Sequence, residues 1–131
     1  MTGRVYLDAS AAVKLVVSEA ESNPLRQFLG DQRTRVSNRV LAVELVRAVH
    51  RRSPALLDQA RLLLQVLEFV ELDGSVMEQA AGLKPVELRS LDAIHLASAF
   101  ALAGELDAFV TYDARQADAA RALGLAVAAP T

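Results

Sequence analysis

The chain has 131 residues, a formal net charge of −2 and no cysteine. This length suits a sizeable core, so we expect a single domain over residues 1–131. The lack of cysteine excludes disulfides and thiolate metal sites. No uncharged run reaches the length of a membrane span, and the N-terminus lacks the apolar segment of a signal peptide. We therefore expect a cytoplasmic protein without membrane contacts.

Composition also bears on possible partners. Hydrophobic residues make up 53% of the chain, which indicates either a generous core or a surface that a partner covers. The 12 arginines far outnumber the two lysines. Arginine binds phosphate and carboxylate groups through paired hydrogen bonds, but a GC-rich coding sequence would explain the same excess.

The first half of the chain alternates between strand and helix patterns. Asn23 followed by Pro24 is typical of a helix start, so we expect the second helix to begin there. The predicted strands are Arg4–Leu7 and Thr34–Ser37. The predicted helices are Ala11–Val17, Pro24–Leu29 and Arg39–Arg52.

The second half continues with four predicted helices and three strands. Ser75 and Glu78 have the spacing of a capping box, and Ser90 is a suitable N-cap for a mostly apolar helix that Gly104 would end. The elements are a helix from Ser53-Pro54, a strand Phe69–Leu72, helices from Ser75 and Ser90, a strand Ala108–Tyr112, a helix Ala114–Leu123 and a strand Ala126–Ala128.

This alternation predicts an α/β fold, with about five short parallel strands in a central sheet and helices on both faces. In such three-layer α/β/α folds, ligands bind beyond the carboxyl ends of the strands. Asp8 and Asp113 each follow a predicted strand, so we expect them at that edge. Each would also serve as an ordinary cap of the next helix.

Two further acids stand in apolar surroundings. Glu44 is the lone charge within Val40–Val46, and an unpaired glutamate is costly to bury. Asp92 lies in the first turn of an apolar helix, where a negative charge is favoured. Taken singly, Glu44 could point to solvent and Asp92 could simply stabilise a helix start. His95, one turn after Asp92, is expected to be a packed or hydrogen-bonded residue.

Together, the four acids predict a cation site. Clustered carboxylates repel one another and burial raises their pKa values, and a divalent cation relieves both problems. Ligation by oxygen alone suits Mg²⁺ or Mn²⁺.

Four segments carry a resemblance to a known family. They are Val5–Leu15, the isolated Glu44, Leu91–Ala97 and Phe109–Asp113. In order and spacing they resemble the PIN-domain family, and more narrowly the VapC-type toxins of bacterial toxin–antitoxin pairs. The resemblance covers nearly the whole chain, and none of the four acidic positions departs from the family pattern.

The resemblance implies a metal-dependent RNA endonuclease. It places metal ligands, for one or two Mg²⁺ or Mn²⁺ ions, at Asp8, Glu44, Asp92 and Asp113, with Glu44 either binding the metal or orienting the water. Ser10 and Thr111 match the family's polar helpers.

Substrate and partner contacts are also implied. Arg89 and Arg115 flank two of the acids and could hold RNA phosphates, or form surface salt bridges instead. The expected partners are RNA, a VapB-type antitoxin and a second copy of the chain in a homodimer. The helices from Ala11 to Leu29 and from Ala55 to Phe69 carry more apolar residues than one face against a small sheet requires. We expect an amphipathic antitoxin segment to lie in a groove between them, with Leu63 and Leu67 as the positions that test contacts of the second helix.

Two rival functions remain at this point. The first is phosphoryl transfer through an aspartyl nucleophile, as in haloacid dehalogenases and receiver domains. A haloacid-dehalogenase-type site would need a second acid two residues after Asp8, where this chain has Ser10. A receiver domain would need a lysine after a late strand, and neither Lys14 nor Lys84 is there. A non-catalytic binding module with a structural metal ion is the other alternative.

Overall fold

The structure is a computed structural model that describes residues 3–131. Five short strands form one parallel sheet. β1 (Arg4–Leu7) lies in the centre, between β2 (Thr34–Asn38) and β4 (Ala108–Val110). β3 (Glu68–Val70) and β5 (Val127–Ala128) form the edges, so the order is β3-β2-β1-β4-β5. The chain adds strands on one side of β1 and then on the other. The carboxyl ends of β1 and β4 therefore flank the point where such sheets bind ligands.

Within residues 3–131, seven α-helices accompany the sheet. They are α1 (Ala9–Lys14), α2 (Ser22–Leu29), α3 (Val40–Arg52), α4 (Leu57–Val66), α5 (Gly74–Ala81), α6 (Ser90–Ala101) and α7 (Ala114–Ala122). None of these helices combines the length and the apolar character that crossing a membrane requires.

The helices cover both faces of the sheet. Side chains of a strand point alternately to its two faces. Val5 and Leu7 therefore pack into one apolar cluster, which α1 to α4 complete. Tyr6 points to the opposite face, where it packs in a second cluster with residues of α6 and α7. This arrangement confirms the predicted three-layer α/β/α fold.

Several predicted helix ends were wrong, because nearby side chains and turns decide them. α1 covers Ala9–Lys14 rather than Ala11–Val17: the Asp8 carboxylate caps it by accepting a hydrogen bond from the Ala11 amide, and the chain turns after Leu15. α2 begins at Ser22, so Pro24 is its third residue. A short 3₁₀ turn at Pro54–Leu56 precedes α4.

The starts of α5 and α6 were also misplaced. Asp73, rather than Ser75, caps α5, since its carboxylate accepts a hydrogen bond from the Val76 amide. Arg89 is the N-cap residue of α6 and Ser90 its first residue. Gly104 lies in a 3₁₀ turn after α6. The ends of all five strands lie within two residues of the predicted ones.

The two apolar stripes of α4 face opposite directions. Leu63 packs against the first apolar cluster and Leu67, just after the helix, belongs to it with 8% exposure. Leu62 and Val66 are 60% and 66% exposed. Leu63 and Leu67, the positions chosen from the sequence to test partner contacts, therefore contribute to the core, and the exposed residues of the same helix are better probes of a partner.

Alanine replacements should distinguish the buried stripe of α4 from the exposed one by their effect on stability. Leu67→Ala should lower the free energy of unfolding by about 2–5 kcal/mol, because it leaves a cavity in the core. Leu62→Ala is the matched control on the exposed stripe, and it should change the free energy of unfolding by no more than about 0.5 kcal/mol. Urea unfolding followed by circular dichroism measures both values. Equal losses for the two variants would contradict this assignment of the stripes.

Candidate active site

Asp8 ends the central strand and is almost fully buried, with 4% exposure. Its Oδ1 accepts hydrogen bonds from the Ser10 hydroxyl at 2.6 Å and the Ala11 amide at 3.1 Å. Its Oδ2 accepts one from the Thr111 hydroxyl at 2.5 Å. The structure thus brings Ser10 and Thr111, both singled out in the sequence, directly onto this carboxylate. These donors fix the position of both carboxylate oxygens.

Asp113 lies beside Asp8 at the same edge of the sheet. Its backbone amide donates to the Thr111 hydroxyl at 3.1 Å, so Thr111 contacts both acids. Its Oδ1 caps α7 by accepting hydrogen bonds from the amides of Arg115 and Gln116. Asp113 is therefore a helix cap, as the sequence allowed, and at the same time a carboxylate at the predicted edge.

Asp92 is held against this pair through its backbone. It occupies the first turn of α6 and is half-buried. The side-chain amide of Gln116, itself buried, donates to the Asp92 carbonyl at 3.3 Å. Because Gln116 belongs to the helix that Asp113 caps, this bond fixes the starts of α6 and α7 relative to each other. The Asp92 carboxylate accepts no hydrogen bond from residues 3–131.

The side chain of Glu44, on α3, reaches α6 and is only partly exposed. Its Oε1 accepts a hydrogen bond from Nε2 of His95 at 2.6 Å. His95 is fully buried, and its Nδ1 lies 2.8 Å from the Tyr6 hydroxyl. His95 is therefore a hydrogen-bonded core residue, as expected. The pair also joins the two helical layers, because α3 packs in the first cluster and α6 in the second.

The four acids influence one another electrostatically. Burial raises the pKa of the Asp92 carboxyl, and the charges of Asp113, Asp8 and Glu44 raise it further. Burial also raises the pKa of Asp8, although hydrogen bonds from Ser10, Thr111 and the Ala11 amide oppose this rise. A concentration of negative charge at one sheet edge is therefore present in the fold itself.

These carboxylates fit a hydrated divalent cation. Among residues 3–131, no three acidic or histidine side chains stand close enough to hold one ion directly. Mg²⁺ commonly keeps several of its waters and binds through one or two carboxylates. The oxygen-only donor set and the raised pKa values of Asp8 and Asp92 suit such an ion, whose charge would favour the ionised acids.

An open cleft of about 400 Å³ lies next to the acids. Asp92 and Asp113 line it together with Arg89 and Arg115. Neither guanidinium makes an ion pair or hydrogen bond with another residue in the described part of the chain, so the alternative of surface salt bridges is not realised there. Two unpaired cationic groups therefore stand beside two carboxylates.

Sequence reasoning missed several polar residues that support the site. Tyr6 gave no signal, because it sits in an apolar strand. Gln116 follows Asp113 at capping-box spacing, which marked a polar position without showing that its side chain reaches Asp92. Asn38 and Ser98 are both buried, and the Asn38 amide donates to the Ser98 hydroxyl at 3.1 Å, tying the end of β2 to α6.

The fold and this acidic edge agree with a family match. A model of the PIN domain matches residues 5–122 of the chain. The chain therefore belongs to the PIN-domain family, and this membership argues against the aspartyl phosphotransferase considered above.

Within the family, the chain is similar to VapC-type members over nearly its whole length. It is 44% identical over 127 residues to Ribonuclease VapC46 of Mycobacterium tuberculosis (strain ATCC 25618 / H37Rv). The aligned region covers 97% of this chain and 98% of the relative. The chain is 40% identical over 131 residues to Ribonuclease VapC47 and 44% identical over 132 residues to Ribonuclease VapC35, both of M. tuberculosis (strain CDC 1551 / Oshkosh), with 96% of each chain covered.

The raised pKa of Asp92 predicts a pH-dependent cost in the metal-free protein. The folded chain holds a proton on Asp92 at pH values where the unfolded chain, with an ordinary pKa of about 3.9, has lost it. The contribution of Asp92 to stability should therefore fall as pH rises from about 4 through the raised pKa. Asp92→Asn removes this contribution, so with EDTA present the variant should be more stable than the wild type at pH 7 and less pH-dependent.

Thermal unfolding of both proteins between pH 4 and 8 measures this difference. Asp118→Asn is the matched control, because Asp118 is an exposed aspartate on α7. A wild-type protein that is more stable than Asp92→Asn at pH 7 without metal would contradict the prediction.

Proposed function

We propose that the chain is a divalent-metal-dependent endoribonuclease and the toxin of a VapBC-type toxin–antitoxin pair. The observation that carries this proposal is the convergence of Asp8, Asp92 and Asp113 at one edge of a PIN-family sheet, within electrostatic reach of Glu44. Relatives bearing the name ribonuclease support the reaction class. We infer that the protein acts in the cytoplasm, where its RNA substrate would be available.

The four acids would hold one or two hydrated Mg²⁺ or Mn²⁺ ions, each bound directly by one or two carboxylates and contacted by the others through its waters. A bound divalent cation lowers the pKa of a water molecule and stabilises negative charge on a phosphoryl group. Asp8 would supply the most rigid ligand, because Ser10, Ala11 and Thr111 fix its oxygens. Asp113 retains Oδ2 for this role, since Oδ1 caps α7. We assign Glu44 to the metal as well.

Arg89 and Arg115 would position the RNA. They line the cleft beside Asp92 and Asp113, and neither forms an ion pair with a described residue. A guanidinium matches a phosphate group with paired hydrogen bonds. The two arginines would therefore hold backbone phosphates next to the carboxylates, which cannot attract RNA on their own.

Neutralising single acids tests the catalytic assignment. Asp8→Asn, Asp92→Asn and Asp113→Asn should each lower Mn²⁺-dependent cleavage of total RNA by roughly a hundredfold or more, because the metal supplies several kcal/mol of transition-state stabilisation. Purified proteins with equal circular dichroism spectra should be compared, with Asp118→Asn as the active control. Wild-type activity in folded Asp92→Asn would refute the assignment.

Partner binding is proposed for the outer stripe of α4. Leu62 and Val66 stand one helical turn apart and are largely exposed, and such apolar surface commonly marks an interface. We assign this stripe to the antitoxin, which would bind through an amphipathic segment. A homodimer is also proposed, from the resemblance to VapC-type toxins.

Polar replacements on this stripe test the partner proposal. The double variant Leu62→Ser/Val66→Ser should bind the co-expressed antitoxin at least about tenfold more weakly, because two apolar anchors are lost. Met77→Ser, an exposed apolar position on α5, is the control. Titration and sedimentation of the purified proteins report antitoxin affinity and self-association. If both properties remain unchanged, α4 takes no part in either interface.

A further inference from the structure

A chain of two hydrogen bonds, one buried and one partly buried, joins three of the elements that carry the acids. Nε2 of His95 bonds Oε1 of Glu44 at 2.6 Å, and Nδ1 of His95 bonds the Tyr6 hydroxyl at 2.8 Å. His95 lies on α6, three residues after Asp92, and Tyr6 lies on β1, two residues before Asp8. The imidazole thus connects the central strand, α3 and α6 at one point.

The chemistry of these groups gives each hydrogen bond a direction. An ionised carboxylate only accepts hydrogen bonds, so Nε2 of His95 carries a hydrogen and donates it to Glu44. In a neutral imidazole the other nitrogen is then an acceptor. The Tyr6 hydroxyl can donate to that nitrogen, which fixes the tautomer that Glu44 requires.

The aromatic rings around His95 also restrict its orientation. The ring of Tyr6 stacks on Phe109, with centroids 5.4 Å apart and planes at 11°. The His95 ring meets Tyr6 edge-on, at 5.7 Å and 76°. Tyr6, His95 and Phe109 are at most 1% exposed. Because the imidazole cannot turn freely in this packing, it presents Nε2 to Glu44 in one direction.

We propose that His95 is a positioning residue, which holds Oε1 of Glu44 and leaves Oε2 as the oxygen that binds the cation. Oε2 makes no hydrogen bond with residues 3–131, in agreement with this division. The proposal rests on the function proposed above, in which Glu44 binds the metal. Tyr6 acts one step further away, through its bond to the imidazole.

Mn²⁺ affinity, measured by calorimetry without RNA, tests the role of His95. His95→Asn shortens the side chain and loses the bond to Glu44, so Mn²⁺ should bind roughly 10–100-fold more weakly. His95→Gln places an amide donor nearer to the position of Nε2 and should lose less. Tyr6→Phe keeps the ring but removes the hydroxyl. It should weaken binding in the wild type and add little to His95→Asn, since both changes act through one chain of bonds.

Ser22→Ala controls for a general loss of buried hydrogen bonds. Ser22 is buried on α2, where its hydroxyl donates to the Val17 carbonyl and accepts from the Glu19 amide. Neither bond involves one of the four acids. This variant should melt at a lower temperature than the wild type while binding Mn²⁺ with unchanged affinity.

The outcomes separate the positioning role of His95 from the assignment of Glu44 to the metal. If folded His95→Asn binds Mn²⁺ as tightly as the wild type, or more tightly, His95 does not position Glu44 for the metal. If Glu44→Gln alone leaves the affinity unchanged, the assignment of Glu44 to the metal fails, and the role of His95 fails with it. Should His95→Asn not fold, Tyr6→Phe decides, and an unchanged affinity in that variant overturns the proposal.

Discussion

The buried carboxylate of Asp8 is the constraint on which the rest of the acidic edge depends. Burying an ionised group is costly unless hydrogen bonds replace the lost water. Here the donors come from the turn into α1 and from Thr111, 103 residues away in sequence. The Thr111 hydroxyl also accepts the amide of Asp113. The Thr111 hydroxyl, which helps to offset the cost of burying Asp8, therefore also fixes the position of Asp113. The pairing of β1 with β4 brings Thr111 next to Asp8.

The acids serve the fold and the site at once, but not equally. Asp8 and Asp113 cap α1 and α7, and Glu44 bonds a buried histidine, so each has a local structural use. Asp92 has no such partner for its carboxylate, and its surroundings disfavour its charge. In the absence of a cation, the charge of Asp92 therefore lowers the stability of the fold. Such a loss of stability is common at sites where function requires a buried or clustered charge.

Local patterns predicted the parts of this molecule that local interactions decide. The alternation of strands and helices determined the layers, and acids placed after β1 and β4 had to meet at one edge. The bond between Glu44 and His95 joins residues 51 positions apart, and no local pattern shows which buried polar groups will meet. The orientation of α4 was also hidden, because both of its stripes are apolar and either one could have faced the core. At the start of α5, two acceptable caps competed, and Asp73 prevailed over Ser75.

The order of the strands has a consequence for how the protein is made. Chains are synthesised from the N-terminus, and domains fold as their segments emerge. β1, β2 and β3 can pair early, but β4 and the turn carrying Thr111 and Asp113 come only after α5 and α6. Until then, Asp8 lacks one of its hydrogen-bond donors and the edge lacks its last acid. A growing chain that has not yet reached β4 therefore carries an incomplete site, because Asp8, Glu44 and Asp92 are made before Thr111 and Asp113.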